Sequence, residues 1–499
     1  MLSRLPRVVL LAMAIAVIAV MFGGPGATTI FAGAPPGAWV SGIACTNLST
    51  TTINANELVL TFYPSNNATA ALTYPDPNPL AGGASRNYFT PNLSGLPSPF
   101  AGSAVVSSSQ PVACTVNTQL NGNVGTTSAP ARVETYSGVD STGIGPTLYA
   151  PQVLKSFSST NWNSYIAVQN TGSSAVTVNI TYKDRNGNAV SAANESHAVA
   201  AQSNWIFYQS DNANLPANFL GSATISGGTG SALAAIVNYY NGAADSTTSQ
   251  FQSYNTFGSG ANKLFVPRFV RNYYGFNGGM SIQNVGAAAT TVTIVFTFGS
   301  NTYNYTSPSI SQGASLALYA PNITQLNPVD AMTVSARVGS AVVTAAAGGS
   351  VIAIVNEDNR GTCNGASCPP IPTNQIGWGS TYEAFNNGVQ KNSVTFPQLT
   401  SHVGSQDYSG GFQVANTTGT ATTCSITYSA APAANETNVP LPANGSLFRF
   451  GPNIAHLTNP YNASARVSCG QPVIGIGNLG ARNPSYFGST MSTADGILQ

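Results

Sequence analysis

Charge is the first thing this chain lacks. Only 6% of its 499 residues are Asp, Glu, Lys or Arg, 16 basic against 15 acidic. So neutral a chain has no electrostatic footprint for nucleic acid or an anionic lipid surface, and no nucleic-acid partner is expected. Histidine is scarce: His197, His402 and His456 lie far apart and without metal-ligand spacing, so no metal or cofactor is expected. Helical periodicity is nearly absent. Beyond the N-terminus there is no long apolar run, hence no membrane span is expected in the mature chain.

Catalytic patterns are missing too. Hydrolysis by paired carboxylates needs two acids held close together, one with a raised pKa. The acids here sit mostly in turn-like contexts (Asp184, Asp211, Asp245, Asp358, Asp407), and Glu357-Asp358 reads as a solvated turn after a strand. No G-x-S-x-G elbow precedes a suitable acid and histidine. The "GIGNLG" at 475–480 has no βαβ unit around it, so it reads as a glycine-rich strand end. "YKDRNGNAV" resembles a calcium loop faintly but holds one carboxylate, and its Asn186-Gly187 reads as a hairpin turn. The chain is not expected to be an enzyme.

What the chain does have begins with a secretory leader. Arg4 and Arg7 precede an apolar run, Val8 to Phe22, and Ala32-Gly33-Ala34 offers a cleavage site. A retained anchor is the rival to cleavage. Cleavage after residue 34 lowers Lys+Arg from 16 to 14 against 15 Asp+Glu, a net charge of −1. At 43% hydrophobic, the remainder can bury cores.

One phrase is written four times. Ile43-x-Cys45-x-Asn47, Ile166-x-Val168-x-Asn170, Met280-x-Ile282-x-Asn284 and Phe412-x-Val414-x-Asn416 share a pattern, and eight residues before each Asn stands an aromatic: Trp39, Trp162, Phe276 and Tyr408. An alternating stretch follows in three copies, such as Val176, Val178, Ile180 and Tyr182, the period of a half-buried strand. Each copy then carries a small-residue strand ("GSAVV", "GSATI", "SARV" twice) and a closing strand ending in Asn ("PVACTVN", "LAAIVN", "VIAIVN", "VIGIGN"). Between copies, Tyr136, Tyr254, Tyr382 and Tyr486 each follow Ser or Thr. Three are followed by a Pro-bearing apolar strand ("LYAPQV", "LFVPRF", "TFPQL") suited to a sheet edge. Repetition at this length means homologous modules. The expected fold is all-β: four tandem antiparallel β-sandwich modules at 35–145, 146–261, 262–372 and 373–499, after a leader at 1–34.

Six cysteines in an exported chain read as disulfides, and by themselves allow 15 connectivities. The repeat narrows these. Cys45 and Cys114 share the first module, Cys424 and Cys469 the fourth, and Cys363 and Cys368 bound a small loop, so those are the expected pairs.

The stretches "YIAVQNTGSSAVTVNITYKDRNG" and "GSGANKLFVPRFVRNYYGFNGGMSIQNVG" resemble the immunoglobulin-like or fibronectin-III-like repeats of bacterial secreted and surface proteins. The resemblance implies an extracellular or cell-surface location and a sandwich architecture, and carries over no catalytic residue.

The expected role is a structural or adhesive surface protein, an elongated rod associating with itself, the cell envelope or a glycan. The alternative is a carbohydrate-binding array using Trp39, Trp162, Phe276 and Tyr408, whose flat faces can stack on sugar rings; their competing role is packing. Tyr273, Tyr274 and Phe276, near Arg268 and Arg271, form the densest aromatic patch and a second binding candidate.

Overall fold

The computed structural model describes residues 13–17, 38–121, 131–141, 143–241, 250–363, 368, 370–485, 488–489 and 491–498. The fold is all-β, antiparallel apart from the two-residue parallel pairing of Gly488–Ser489 with Ala131–Arg132, with short 3-10 turns as its helical elements among those residues.

One strand order recurs four times. In the second repeat, one sheet runs Asn204–Tyr208, the opening strand Trp162–Asn170, the closing strand Leu233–Asn241 and Phe251–Asn255. The facing sheet runs Glu195–Val199, Val176–Asp184, Phe219–Ser226 and the lead strand Thr147–Lys155. The third repeat reproduces both sheets, with opening strand Phe276–Asn284, closing strand Val351–Asn359 and lead strand Lys263–Val270. In the fourth, the single strand Tyr461–Ala481 passes from one sheet to the other, pairing first with the lead strand Lys391–Ser401 and then with the opening strand Tyr408–Asn416. In the first repeat the opening strand is Ala38–Asn47, the closing strand Val112–Asn121, and the small-residue strand Gly102–Ser108. Its lead-strand place is taken by Met13–Val17, from within the expected leader, paired to Gly102–Ser108 in register Met13↔Ser108 to Val17↔Ala104.

The recurring phrase now has a physical reading. Ile166 and Val168 point into their own core. Tyr165 and Ala167, of opposite parity, are buried against the first repeat. A strand buried on both faces needs near-continuous apolar sequence rather than alternation. The strand after it faces water on one side, and there Val178, Ile180 and Tyr182 are buried while Thr177, Asn179 and Thr181 are exposed.

The Asn that ends the phrase is a buried plug. Asn170 Nδ2 donates to the carbonyls of Ser174, Val199 and Ala200 at 2.7, 3.2 and 3.2 Å, and its Oδ1 accepts the Gly172 N–H at 3.0 Å. Asn47, Asn284 and Asn416 repeat the scheme, each donating to the carbonyl four residues on (Thr51, Ala288, Thr420) at 2.7–2.8 Å and accepting the N–H two residues on. A short amide is both donor and acceptor, which is what a strand end turning inside a core requires.

The prolines of the lead strands mark bulges. Register shifts fall at Pro151-Gln152, Pro267-Arg268 and Pro397-Gln398. Pro cannot donate to a ladder; the second repeat's lead strand is a sheet edge, and the two-residue strands beyond the third and fourth lead strands, Phe385–Asn386 and Ile497–Leu498, stop short of the Pro. The bulge turns the next side chain out of its own sheet. That residue reaches the following repeat: Gln152 accepts from Ser281 Oγ at 2.6 Å, Arg268 Nη1 donates to Gln413 Oε1 at 3.3 Å, and Gln398 accepts from Asn117 Nδ2 at 2.8 Å.

The last of these contacts joins the fourth repeat to the first, and it corrects the elongated rod expected from tandem repetition. The repeats close into a ring. Ser315 Oγ donates to Pro151 O at 2.7 Å between the second and third repeats, and Ser85 Oγ donates to Pro397 O at 3.2 Å between the fourth and first. Gly488–Ser489 also pairs with Ala131–Arg132 of the first repeat. Ala131–Ser137, Phe251–Asn255, Gly379–Glu383 and Ser492–Asp495 pack in a cycle about the ring axis. Thr135 Oγ1 donates to Ser492 Oγ at 2.7 Å, Thr493 bonds Ser380 at 2.8 Å, Thr381 donates to Gln252 at 2.7 Å, and Asn255 Nδ2 donates to Ser137 O at 3.0 Å. The fourth axial strand thus lies at Ser492–Asp495, whereas Tyr486 falls outside the described residues.

Disulfides join Cys45 to Cys114, Cys424 to Cys469 and Cys363 to Cys368. The first two link residues directly opposite on neighbouring strands.

Candidate clefts between the repeats

Ring closure sets the face of one repeat against the next and leaves two equivalent clefts. One, of about 450 Å³, lies between the second and third repeats. The other, of about 620 Å³, lies between the third and fourth.

One wall of each is built from the same four positions. An aromatic ends the strand that pairs with the opening strand: Tyr319 in Ser315–Tyr319, Phe450 in Ser446–Phe450. A 3-10 turn follows and supplies Asn322 or Asn453. The closing strand supplies Asn356, opposite Gly279, or Asn478, opposite Gly411. Four residues later an arginine lies over the aromatic: Arg360 over Tyr319 at 4.7 Å, Arg482 over Phe450 at 5.1 Å. The glycines opposite the asparagines leave room there. A Cβ on Gly411 would lie 2.5 Å from Arg449 O and 3.2 Å from the Phe448 ring.

The opposing wall comes from the preceding repeat. In the first cleft it holds Trp162, 5.7 Å from Tyr239, with Phe157 beneath Arg185 at 5.7 Å. In the second it holds Phe276, 6.4 Å from Trp378, and Tyr273, perpendicular to Tyr274 at 4.9 Å. Phe448 and Tyr274 stand exposed at its mouth.

Each cleft contains one matched ion pair. Glu357 accepts from Arg268 Nε and Nη2, both at 2.7 Å, and both side chains are about 6% exposed. Arg268 also lies over Tyr273 at 5.2 Å. Burial opposes the Arg268 charge, but Glu357 beside it more than restores it, so this arginine stays charged. In the other cleft Arg360 Nε meets Asp358 at 2.5 Å. Burial pushes the Asp358 carboxyl above its ordinary range despite Arg360, and burial takes the Tyr319 hydroxyl up to about 12. The solvated turn expected at Glu357-Asp358 is therefore corrected. The closing strand runs on through both residues to Asn359, and the cations that balance them come from the lead-strand bulge and from Arg360.

Of the aromatics singled out in the sequence, the clefts gather Trp162, Phe276, Tyr273 and Tyr274. Trp39 is 3% exposed and packs on Phe251 at 4.8 Å, so it serves the joint between the first two repeats and offers no face to a ligand. Tyr408 is half-buried, lines neither cleft, and its backbone bonds to that of Val403. Arg271 is turned away into an ion pair with Asp330. Sequence reasoning missed Tyr319, Phe450, Arg360, Arg482 and the four asparagines. The signal was present in the matched turns "PNI" at 321–323 and 452–454, and in an arginine four residues after each of the last two closing Asn residues.

Among the described residues no group of three or more His, Cys, Asp or Glu side chains is arranged to hold a metal ion, and no helix is long and apolar enough to cross a membrane.

No protein-family model and no curated protein matches this chain. Among solved structures, the crystal structure of Thermotoga maritima 1070 is similar at 16% identity, over 26% of this chain and 96% of that one, with a TM-score of 0.18. A serine-rich repeat protein from Streptococcus agalactiae is similar at 9% identity, over 53% of this chain and 85% of that one, with a TM-score of 0.11. Likenesses this distant carry no argument about the chain.

Proposed function

We propose that this is an exported, non-catalytic adhesive protein whose inter-repeat clefts bind carbohydrate chains. The observation that carries the reading is the recurrence of one wall, aromatic, Asn, Asn and Arg, in two clefts built from different repeats. Sugar rings present C–H faces that stack on aromatic rings, and hydroxyls that pair with amides and guanidinium groups. Both clefts offer such partners on facing walls. Their acids, Glu357 and Asp358, are engaged by arginines, which suits a binding surface better than acid–base chemistry. Three disulfides are compatible with the extracellular location this role needs.

The test is co-sedimentation of the purified chain with a panel of insoluble polysaccharides, alongside Trp162→Ala, Phe450→Ala and the double variant. Each single change removes one stacking face from a different cleft, so each is expected to weaken binding and the double to abolish it. Trp39→Ala serves as contrast, expected to lower the thermal midpoint without a selective loss of binding. Retention by no polymer, or equal retention of wild type and double variant, overturns the reading.

A further inference from the structure

We propose that the two clefts select acidic polysaccharides, chains bearing carboxylates such as uronic acids, through Arg185 and Arg482. The inference rests on the carbohydrate reading above and adds the class of sugar.

Charge bookkeeping at the clefts carries it. Each cleft is lined by two arginines and one acid: Arg185, Arg360 and Asp358 in the first, Arg268, Arg482 and Glu357 in the second. In each, one arginine is satisfied by the acid, at 2.5 Å for Arg360 and 2.7 Å for Arg268. The other, Arg185 or Arg482, is exposed and enters no ion pair among the described residues, so each cleft keeps an uncompensated positive charge. The two matched pairs occupy different positions in their repeats, yet the balance comes out the same. In a chain with 6% charged residues, four arginines at two clefts are a concentration of charge.

The setting of the unmatched arginines fits a carboxylate. Arg482 lies over Phe450 at 5.1 Å and Arg185 over Phe157 at 5.7 Å. A guanidinium held against a ring loses less freedom when it meets an anion than a free one would, and its fork of donors matches a carboxylate with two parallel hydrogen bonds. An aromatic face for the pyranose ring and a guanidinium at its margin together describe a uronic acid residue better than a neutral hexose.

Polygalacturonate and its methyl ester share a backbone and differ in charge, so they isolate the point. The full chain is titrated with both in affinity gels at low and moderate salt, with Arg185→Gln, Arg482→Gln, the double variant and the double Arg→Lys variant, after thermal melts confirm folding. The expected result is a preference of about tenfold for the acid form, reduced by salt. The double Gln variant should lose the preference and bind both forms equally, and the Lys variant should keep part of it. Equal binding of acid and ester by wild type, or a preference that survives in the double Gln variant, overturns the acidic assignment while leaving the carbohydrate reading standing. Binding to neither form while neutral polymers are retained likewise defeats the acidic assignment alone. Retention of no polymer at all defeats both.

Discussion

On the ring axis two buried carboxyl groups act on each other: Glu383, on the strand that pairs with the third repeat's closing strand, and Asp495, in the fourth repeat. Two buried carboxylates in this relation repel, which favours keeping a proton on the pair. Burial raises both, Glu383 to about 6 and Asp495 well above its ordinary range, the latter held up further by Glu383. Glu134, buried beside them, is raised by burial as well.

Stability should therefore fall as pH rises. Unfolded, these groups titrate near ~4. Above that and up to their folded values, the folded chain binds more protons than the unfolded one, so stability declines from about pH 4 through 6 and beyond. Below about pH 4 it declines again as Asp76 and Glu436 protonate. Burial raises both of these, but hydrogen bonds from Tyr88 and Arg86, and from Arg449 and Tyr428, outweigh it and hold them low. Thermal midpoints from pH 3 to 8 should peak on the acid side of neutrality, and Glu383→Gln should flatten the decline above the peak. A wild type more stable at pH 8 than at pH 5 would mean the pair holds no proton.

The asparagine plugs should cost far more to remove than surface asparagines. Asn170→Ala strands three carbonyls and one N–H in a buried turn, at about 1–3 kcal/mol. Asn284→Ala strands two carbonyls and one N–H and should cost an amount in the same range. Urea unfolding midpoints measure this, and a shift no larger than that of the exposed Asn186→Ala would show the plugs to be dispensable.

The two arginine–glutamate pairs should separate by burial. Glu357→Gln leaves Arg268 charged in a site about 6% exposed, costing about 3–5 kcal/mol. Glu436→Gln leaves Arg449 with its side chain 29% exposed, costing about 1 kcal/mol or less. Denaturant titrations of the two variants compare them directly, and equal losses would count against this ranking.

Removing residues 1–34 should expose an edge. Met13–Val17 covers the small-residue strand Gly102–Ser108, whose Ala104 and Val106 belong to the first core. An uncovered edge offers unpaired backbone groups to a second chain. The truncated protein should melt earlier than the full chain and self-associate with concentration in sedimentation velocity. An unchanged midpoint with a monomer at every concentration would show that this strand adds nothing.

Much of the fold was legible because strand signals are local. Alternation marked Val176, Val178, Ile180 and Tyr182 as a half-buried strand, and membership of one repeat suggested that Cys45 pairs with Cys114 and Cys424 with Cys469. The binding candidates were legible only in part. Trp39 and Trp162 are identical in the repeat, yet one is sealed against Phe251 and the other lines a cleft, a difference made by the neighbouring repeat.

By itself the sequence determined that strands form, which face of each is apolar and how they recur, because side-chain parity and turn chemistry act over a few residues. Tertiary structure alone decided that the repeats close into a ring, that Glu383 meets Asp495, and that Arg482 rests at an aromatic cleft while Arg268 is neutralised within it. Those outcomes depend on contacts such as Thr135 with Ser492, 357 residues apart, each a weak polar bond between surfaces with no period to read. Their geometry exists only once the folded repeats have packed against one another.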